Sequence, residues 1–188
     1  MVIKTSFMKH TATILLSLCL LASCGNHVTP EKKPIGENKL VNGYSHSYGA
    51  HYKSRGINQN VVDLDLYSAN IDLDSAHHIV GTGTNLYISD IFLPAGETTM
   101  QATTYTSDTT ADEFTFLPGV DFEGNISGAY LLRITDGKLT GYTIFDEGQF
   151  TLSQDGDTTS ILFSLKYKEG KNIINTYEAE FKGIIAYD

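Results

Sequence analysis

Residues 130–170, YLLRITDGKLTGYTIFDEGQFTLSQDGDTTSILFSLKYKEG, decide the fold that the sequence predicts. Apolar and polar residues alternate in this stretch, and a period of two is typical of strands with one buried face. An acidic residue followed by glycine separates the apolar runs four times, at Asp136-Gly137, Glu147-Gly148, Asp155-Gly156 and Glu169-Gly170. Because such pairs adopt positive φ at little steric cost, they predict a succession of antiparallel hairpins.

The same alternation extends the prediction toward both ends of the chain. It recurs in residues 62–67 (VDLDLY) and 86–89 (LYIS), and a last strand is expected from about residue 172 to residue 187. Gly183 is expected to mark a bulge or bend inside that strand. About ten strands and no long amphipathic helix predict an all-β fold, an antiparallel β-sandwich. A calycin-like up-and-down β-barrel, which encloses a cavity, is the alternative.

The N-terminal segment has the features of an export signal. Lys4 and Lys9 precede an apolar run at residues 14–21, which is too short to span ~30 Å of hydrocarbon but fits a signal peptide. The run ends in Leu21-Ala22-Ser23-Cys24, which resembles the lipobox of Bacteroidetes-type bacterial lipoproteins. The resemblance implies cleavage before Cys24, a diacylglycerol thioether and a palmitate-type acyl chain on that residue, and a lipid anchor in the outer membrane.

This reading divides the chain into a signal peptide (1–23), a flexible tether (24–43) and an all-β domain (44–188). Cleavage leaves 188 − 23 = 165 residues with 13 − 2 = 11 basic and 22 acidic side chains, a net charge of −11. That balance argues against a nucleic-acid partner, and a fold without cysteine excludes thiol catalysis and disulfides. Only Glu31 is acidic in the first part of the tether, so the side of the outer membrane that the domain faces stays open.

Candidate metal ligands and catalytic residues are few. Asp63 and Asp65 share one face of a predicted strand, which favours a solvated face and leaves Ca²⁺ binding as a hypothesis. His46 and His51 should lie on opposite faces unless Gly49 shifts the register. Since the sequence has no serine elbow or other catalytic motif, we expect a protein that is not an enzyme and needs no cofactor.

Tyr44, Tyr48 and Tyr52 recur at every fourth residue and should share one strand face. That spacing fits an aromatic platform for a sugar or peptide, and it fits ordinary packing of tyrosine in a sheet equally well.

Three predicted loops carry an aspartate followed by a hydroxyl residue: Asp74-Ser75-Ala76, Asp108-Thr109-Thr110 and Asp157-Thr158-Thr159. The pattern resembles the O-glycosylation sequon of Bacteroidetes-type secreted proteins, which implies Ser75, Thr109 and Thr158 as acceptors. Asx-turns explain the same residues without a modification.

Together these features favour a non-catalytic, membrane-anchored envelope lipoprotein whose β-domain binds a glycan, a peptide or a partner protein. The alternatives are a calycin-like barrel that holds a small apolar ligand and a hydrolase without a recognisable motif. A filled interior beneath an exposed aromatic patch would favour surface binding, whereas an apolar cavity would favour the barrel that holds a ligand.

Overall fold

The computed structural model of the protein describes residues 38–75, 78–170 and 173–188, with Ile173 described by its backbone alone. The predicted signal peptide, the predicted lipidation site Cys24 and most of the predicted tether lie outside these residues. The described chain contains one short 3₁₀ helix, Lys53–Arg55, after the first strand. Its strands are β1 Lys39–Gly49, β2 Asn60–Ser68, β3 Ile71–Leu73, β4 Ile79–Gly81, β5 Gly83–Leu93, β6 Thr104–Ser107, β7 Thr115–Phe116, β8 Val120–Phe122, β9 Asn125–Ser127, β10 Ala129–Thr135, β11 Lys138–Ile144, β12 Glu147–Asp155, β13 Thr158–Glu169, β14 Ile173–Gly183 and β15 Ile185–Tyr187.

Eight of these strands close into a mixed β-barrel in the order β5, β2, β1, β14, β13, β12, β6, β7 and back to β5. The two-residue strand β7 makes the closure, because Phe116 pairs with Ile91 of β5 on one side and with Ser107 of β6 on the other. The all-β prediction is confirmed. The sandwich is wrong and the barrel alternative fits, although parallel pairs between β1 and β14 and between β6 and β7 depart from up-and-down order.

The hairpin of β10 and β11 branches from the barrel wall. β10 pairs with the first part of β5, up to Ile88, and β7 pairs with the last part, at Ile91 and Phe92. β11 pairs with β10 alone among the described strands, so its second edge is not covered by a strand. This divergence opens a groove between β11 and the end of β13.

Apolar side chains fill the barrel. From β2, Val62, Leu64 and Leu66 point inward and are fully buried. A stack of aromatic rings occupies one region of the core, where the Tyr105 and Phe150 centroids lie 4.7 Å apart. Burial of such side chains supplies the main stabilisation of the fold, about 1.5–3 kcal/mol for each large apolar group.

The predicted turns show which local signals suffice. Asp136-Gly137 forms the two-residue turn of the β10–β11 hairpin, with positive φ at both residues, as predicted. At the next acidic pair the prediction is wrong: Gly148 lies inside β12 opposite Leu165. Glycine is required there because a Cβ atom would stand 2.6 Å from the carbonyl oxygen of Ser164.

The strand boundaries differ in detail from those expected. β1 begins at Lys39, ahead of the expected domain start at Tyr44. The last strand is interrupted after Gly183, as predicted, and continues as β15. The described residues carry more strands than the ten expected, because pairs such as β8 and β9 are too short to show an alternating pattern.

Candidate functional site

A band of tyrosine and aspartate side chains crosses the outward face of three barrel strands, β1, β2 and β5, and of the neighbouring strand β10. The strand register places Tyr44, Asp65, Tyr87 and Tyr130 side by side in one row across the four strands. We call this band the tyrosine–aspartate strip, and its members are Tyr44, His46, Tyr48, Asp63, Asp65, Tyr87 and Tyr130.

The alternation of β2 explains why this face of the sheet is polar only in its middle. With Leu64 directed inward, Val61, Asp63, Asp65 and Tyr67 face outward. Val61 belongs to a small apolar cluster at one end of the face, and Tyr67 belongs to another at the opposite end. The strip is therefore a polar, aromatic band between two apolar clusters.

Asp63 is the most strongly held carboxylate of the strip. Its Oδ2 accepts hydrogen bonds from the hydroxyls of Tyr48, at 3.1 Å, and Tyr87, and its Oδ1 accepts from the backbone N–H of Asp90 at 3.1 Å. Only 8% of the residue is exposed. The expectation of a solvated face is wrong here, because neighbouring tyrosine rings lie over this part of β2.

Asp65 occupies the next outward position of the same strand. Its Oδ2 accepts from the Tyr67 hydroxyl at 2.5 Å and its Oδ1 from the side-chain amide of Asn85. Burial raises the pKa of Asp65, and the two donors oppose that shift. These hydrogen bonds occupy the oxygens that a Ca²⁺ ion would need, which argues against the calcium hypothesis. In the parts of the chain that the structure describes, no group of three or more His, Cys, Asp or Glu is placed to hold a metal ion.

A bulge in β5 fixes this carboxylate geometry. The register between β2 and β5 shifts at Ser89 and Asp90, and Asp90 takes a positive φ of 52°. Its side chain accepts a 2.6 Å hydrogen bond from the Tyr52 hydroxyl, while its N–H reaches Asp63. A bulge and a left-handed aspartate at one position are typical of sites where a side chain is aimed for function.

The three candidate ligand-contact tyrosines separate into two groups. Tyr44 and Tyr48 lie on the outer face of β1 and are 43% and 46% exposed. Tyr52 is not on the strand, because β1 ends at Gly49 with a positive φ of 58°. It packs instead against Phe92. Its pKa is raised to about 12, mainly by burial and secondly by the hydrogen bond to Asp90.

The change of register at Gly49 also brings two histidines to one ring. The centroid of Tyr48 lies 4.5 Å from that of His46 and 5.8 Å from that of His51. The expectation of opposite faces held only for an unbroken strand, and the strand is broken. His46 Nδ1 lies 2.8 Å from Oδ1 of Asp188, so the end of the described chain completes the edge of the strip.

A small pocket of about 160 Å³ lies at the Tyr48 end of the strip. It is lined by Tyr48, His51, Val61, Asp63, Ser89 and Asp90. An aromatic ring, carboxylates and a hydroxyl thus converge on a space smaller than the ~300–1,000 Å³ of drug-sized ligand sites.

The three candidate O-glycosylation acceptors lie apart from the strip. Ser75 and Thr109 are exposed, whereas Thr158 is half-buried at the first position of β13. The backbone N–H of Thr110 donates to Asp108 at 2.9 Å, which is an Asx-turn. Ala76, the last residue of the first motif, lies outside the described residues.

Sequence reasoning missed Tyr87, Tyr130, Asn85 and Asp90 as members of this site. Alternation in residues 86–89 predicted a strand, but the pairing that sets Tyr87 beside Asp63 joins residues 24 positions apart. A bulge at Asp90 carries no sequence signal of its own, because any of the residues before Leu93 could have hosted it.

Comparisons with known proteins identify no relative of this chain. Among the described residues, no helix is long and apolar enough to cross a membrane. No family model matches the chain, and neither the search of curated proteins nor that of solved structures gives a significant match.

Proposed function

We propose that the protein is a non-catalytic, lipid-anchored envelope protein whose β-domain binds a neutral glycan on the tyrosine–aspartate strip. The observation that carries the proposal is the row formed by Tyr44, Asp65, Tyr87 and Tyr130 across four neighbouring strands. Aromatic rings offer apolar faces to the C–H side of a sugar, while tyrosine hydroxyls such as that of Tyr48, which donates its proton to Asp63, can still accept hydrogen bonds from the sugar's hydroxyls.

Hydrogen bonds hold the strip in one arrangement before any ligand arrives. Tyr48 and Tyr87 donate to Asp63, and the rings of Tyr87 and Tyr130 lie 5.2 Å apart. Fixed side chains lose little rotamer freedom on binding, which favours affinity for a weakly interacting ligand such as a sugar. The exposed rings of Tyr44 and Tyr48 are the first contact surface.

The charge of the strip argues for a neutral ligand. Asp63, Asp65, Asp90 and Asp188 all lie on or beside it, and the histidine at its edge contacts Asp188. An acidic polysaccharide or a nucleic acid would place its own negative charges against these carboxylates, which costs free energy. A neutral glycan meets no such repulsion.

The two alternatives receive less support. A ligand inside the barrel would have to displace Leu64, Phe116 and Phe150, which are fully buried. A hydrolase would rest on Asp63 and Asp65, yet each carboxylate is already bonded to tyrosine hydroxyls, so neither is free to act on a substrate in this arrangement.

The lipid anchor rests on the lipobox at residues 21–24 alone. Replacement of Cys24 by Ala should abolish both radioactive fatty-acid labelling and fractionation with the outer membrane, while Cys19→Ala should leave both unchanged. Labelling that persists in the Cys24→Ala protein would falsify the anchor.

A glycan array probed with the full mature chain tests the binding function. Tyr44→Ala and Tyr48→Ala should each weaken binding by about 3- to 10-fold, the effect of losing one aromatic contact. Leu162→Ala is the matched control, because Leu162 is 60% exposed on the outer face of β13, a strand that contributes nothing to the strip.

Two results would contradict the proposal. One is a glycan whose binding is reduced equally by Tyr44→Ala and Leu162→Ala. The other is an array without any bound neutral glycan, combined with a peptide array on which the protein binds through Tyr48; that result would assign the strip to a peptide.

A further inference from the structure

A groove of about 590 Å³ lies between β11 and the end of β13, and none of its lining residues belongs to the strip. It is lined by Arg133, Tyr142, Thr143, Ile144, Asp146, Tyr167, Lys168 and Glu169. Its volume falls in the range of ~300–1,000 Å³ that accommodates small organic ligands.

The groove exists because the wall of strands separates at this point. β12 covers the edge of β13 only as far as the pair of Glu147 and Lys166, and beyond it β13 pairs with β14 alone. On the other side, β11 has an edge that no described strand covers. The segment that leads from β11 to β12 is fixed by a 2.9 Å hydrogen bond from the backbone N–H of Asp146 to the carbonyl oxygen of Lys166, so the groove is part of the fold.

Arg133 is a half-buried cation in this groove whose charge is not matched. Its Nη2 donates to the hydroxyl of Thr143 at 3.0 Å, which orients the guanidinium. Among the ion pairs of the described residues, Lys168 is paired with Asp146 at 3.5 Å, whereas Arg133 has no carboxylate partner. A guanidinium with free donors in a partly desolvated groove is a strong and directional site for a carboxylate.

A second donor without an acceptor lies behind the same wall. Tyr177 is 8% exposed, and within the described part of the chain its hydroxyl has no hydrogen-bond partner. Its ring lies 5.4 Å from that of Phe145, which in turn contacts Tyr167 of the groove. Burial raises the pKa of Tyr177 to about 12, and the nearby charge of Arg133 opposes that rise. Two carboxylates also line the groove, but Asp146 is paired with Lys168 and Glu169 accepts a 3.1 Å hydrogen bond from the side chain of Asn175, so neither is paired with the guanidinium.

We propose that this groove binds a small organic carboxylate, with the guanidinium of Arg133 holding the carboxylate and the rings of Tyr142 and Tyr167 contacting the body of the ligand. Thr143 acts as a positioning residue, because its hydroxyl fixes one Nη of Arg133 and leaves the remaining donors of the fork for the ligand. The proposal concerns a second site and does not rest on glycan binding at the strip.

Carboxylates of this size have two sources, acidic sugars and aromatic or aliphatic acids, and the test separates them. The full mature chain is titrated with glucuronate and with benzoate, each beside its uncharged counterpart, glucose or benzamide. Backbone and guanidinium NMR signals report binding. We expect shifts at Arg133, Thr143 and Tyr167 with at least one acid, and at least about tenfold weaker binding of its uncharged counterpart.

Variants test the assignment to the guanidinium. Arg133→Gln should abolish the shifts, and Arg133→Lys should weaken binding because a point charge replaces the fork. Lys168→Gln is the matched control: it removes a cation from the same groove, but one already paired with Asp146, and should change the affinity less than threefold. The unchanged amide spectrum outside the groove shows that each variant is folded.

Three outcomes would overturn the proposal. Neither acid shifts the groove signals, or acid and uncharged counterpart bind equally well, or Arg133→Gln and Lys168→Gln weaken binding to the same extent. The acid that binds more tightly assigns the source, an acidic sugar or an aromatic acid.

Discussion

The backbone N–H of Asp90 donates to Oδ1 of Asp63 over 3.1 Å, from a residue held at a positive φ of 52° in the bulge of β5. This bond joins a backbone irregularity to a buried carboxylate. Two tyrosine hydroxyls complete the set of donors around Asp63, so one side chain organises parts of three strands.

Replacement of Asp63 by Ala should therefore destabilise the fold strongly. The change leaves two hydroxyls and one backbone N–H without their acceptor, and we expect a loss of about 2–4 kcal/mol in the free energy of unfolding. Urea denaturation measures it. Glu180→Ala, which removes an exposed strand carboxylate, should stay within about 0.5 kcal/mol of the wild type. Equal effects of the two changes would refute the organising role of Asp63.

Asp65 should give the stability an unusual dependence on pH. Because burial raises its pKa, the native state binds the proton more tightly than the unfolded chain does. The stability contributed by the neutral carboxyl is complete below the unfolded-state pKa of about 3.9 and is lost as pH rises through the higher folded-state value. Asp65→Asn cannot ionise, so the stability of the wild type relative to this variant should fall between acidic and neutral pH. A difference that stays constant over that range would contradict the shift.

The unpartnered hydroxyl of Tyr177 should cost stability. Tyr177→Phe removes a buried donor that has no acceptor among the described residues and should raise the free energy of unfolding by up to about 1–2 kcal/mol. Tyr105 is the matched residue, since it is fully buried but its hydroxyl bonds to both the N–H and the carbonyl of Gln101. Tyr105→Phe should lower stability by about 1 kcal/mol. Thermal and urea denaturation should show that the two substitutions change the stability in opposite directions. A change in the same direction would argue against an unpartnered hydroxyl at Tyr177.

Gly148 should be intolerant of any side chain. A Cβ atom there would lie 2.6 Å from the Ser164 carbonyl oxygen and 2.7 Å from the Leu165 Cα, both backbone atoms that cannot move away cheaply. We expect Gly148→Ala to cost more than about 2 kcal/mol. Gly156→Ala is the control, because its Cβ meets nothing within 4 Å and only the positive φ opposes it, at about 1 kcal/mol. Similar losses of stability in the two variants would show that the contact between a Cβ atom and the backbone of β13 does not decide the loss at Gly148.

Exposure makes Thr109 and Ser75 the more accessible of the three candidate acceptors. In a bacterium with the matching O-glycosylation machinery, replacing Ser75, Thr109 and Thr158 together by Ala should lower the intact mass by the mass of the attached glycans. Thr110→Ala, an exposed threonine that does not follow an aspartate, should leave the glycan mass unchanged. A triple variant that differs from the wild type only by its three substitutions would reject the modification.

Local chemistry made much of the strand pattern predictable, and long-range pairing made the rest unpredictable. The Asp136-Gly137 turn follows from the conformations of two adjacent residues, so the sequence suffices. Closure of the barrel depends on a two-residue strand, where Phe116 pairs with Ile91. Alternation cannot distinguish a sandwich from a barrel, because both need one buried face on every strand.

The candidate site was predictable in part for the same reason. Alternation correctly placed Asp63 and Asp65 on one face, but it carries no information about what covers that face. The burial of Asp63 comes from Tyr48 and Tyr87 on neighbouring strands. Tyr52 left the predicted platform because Gly49 ends the strand, which a fixed spacing of four residues cannot reveal.

The parallel pairing of β1 with β14 and β15 determines how the domain would respond to force. Lys39 lies beside Glu180, and further along the same strand Ser45 lies beside Tyr187. A pull on the two ends of the described chain in opposite directions would slide these strands past each other and load their hydrogen bonds together. Antiparallel terminal strands would instead open one bond at a time. The hydrogen bonds that join β1 to β14 and to β15 would therefore have to break together before the two ends could separate.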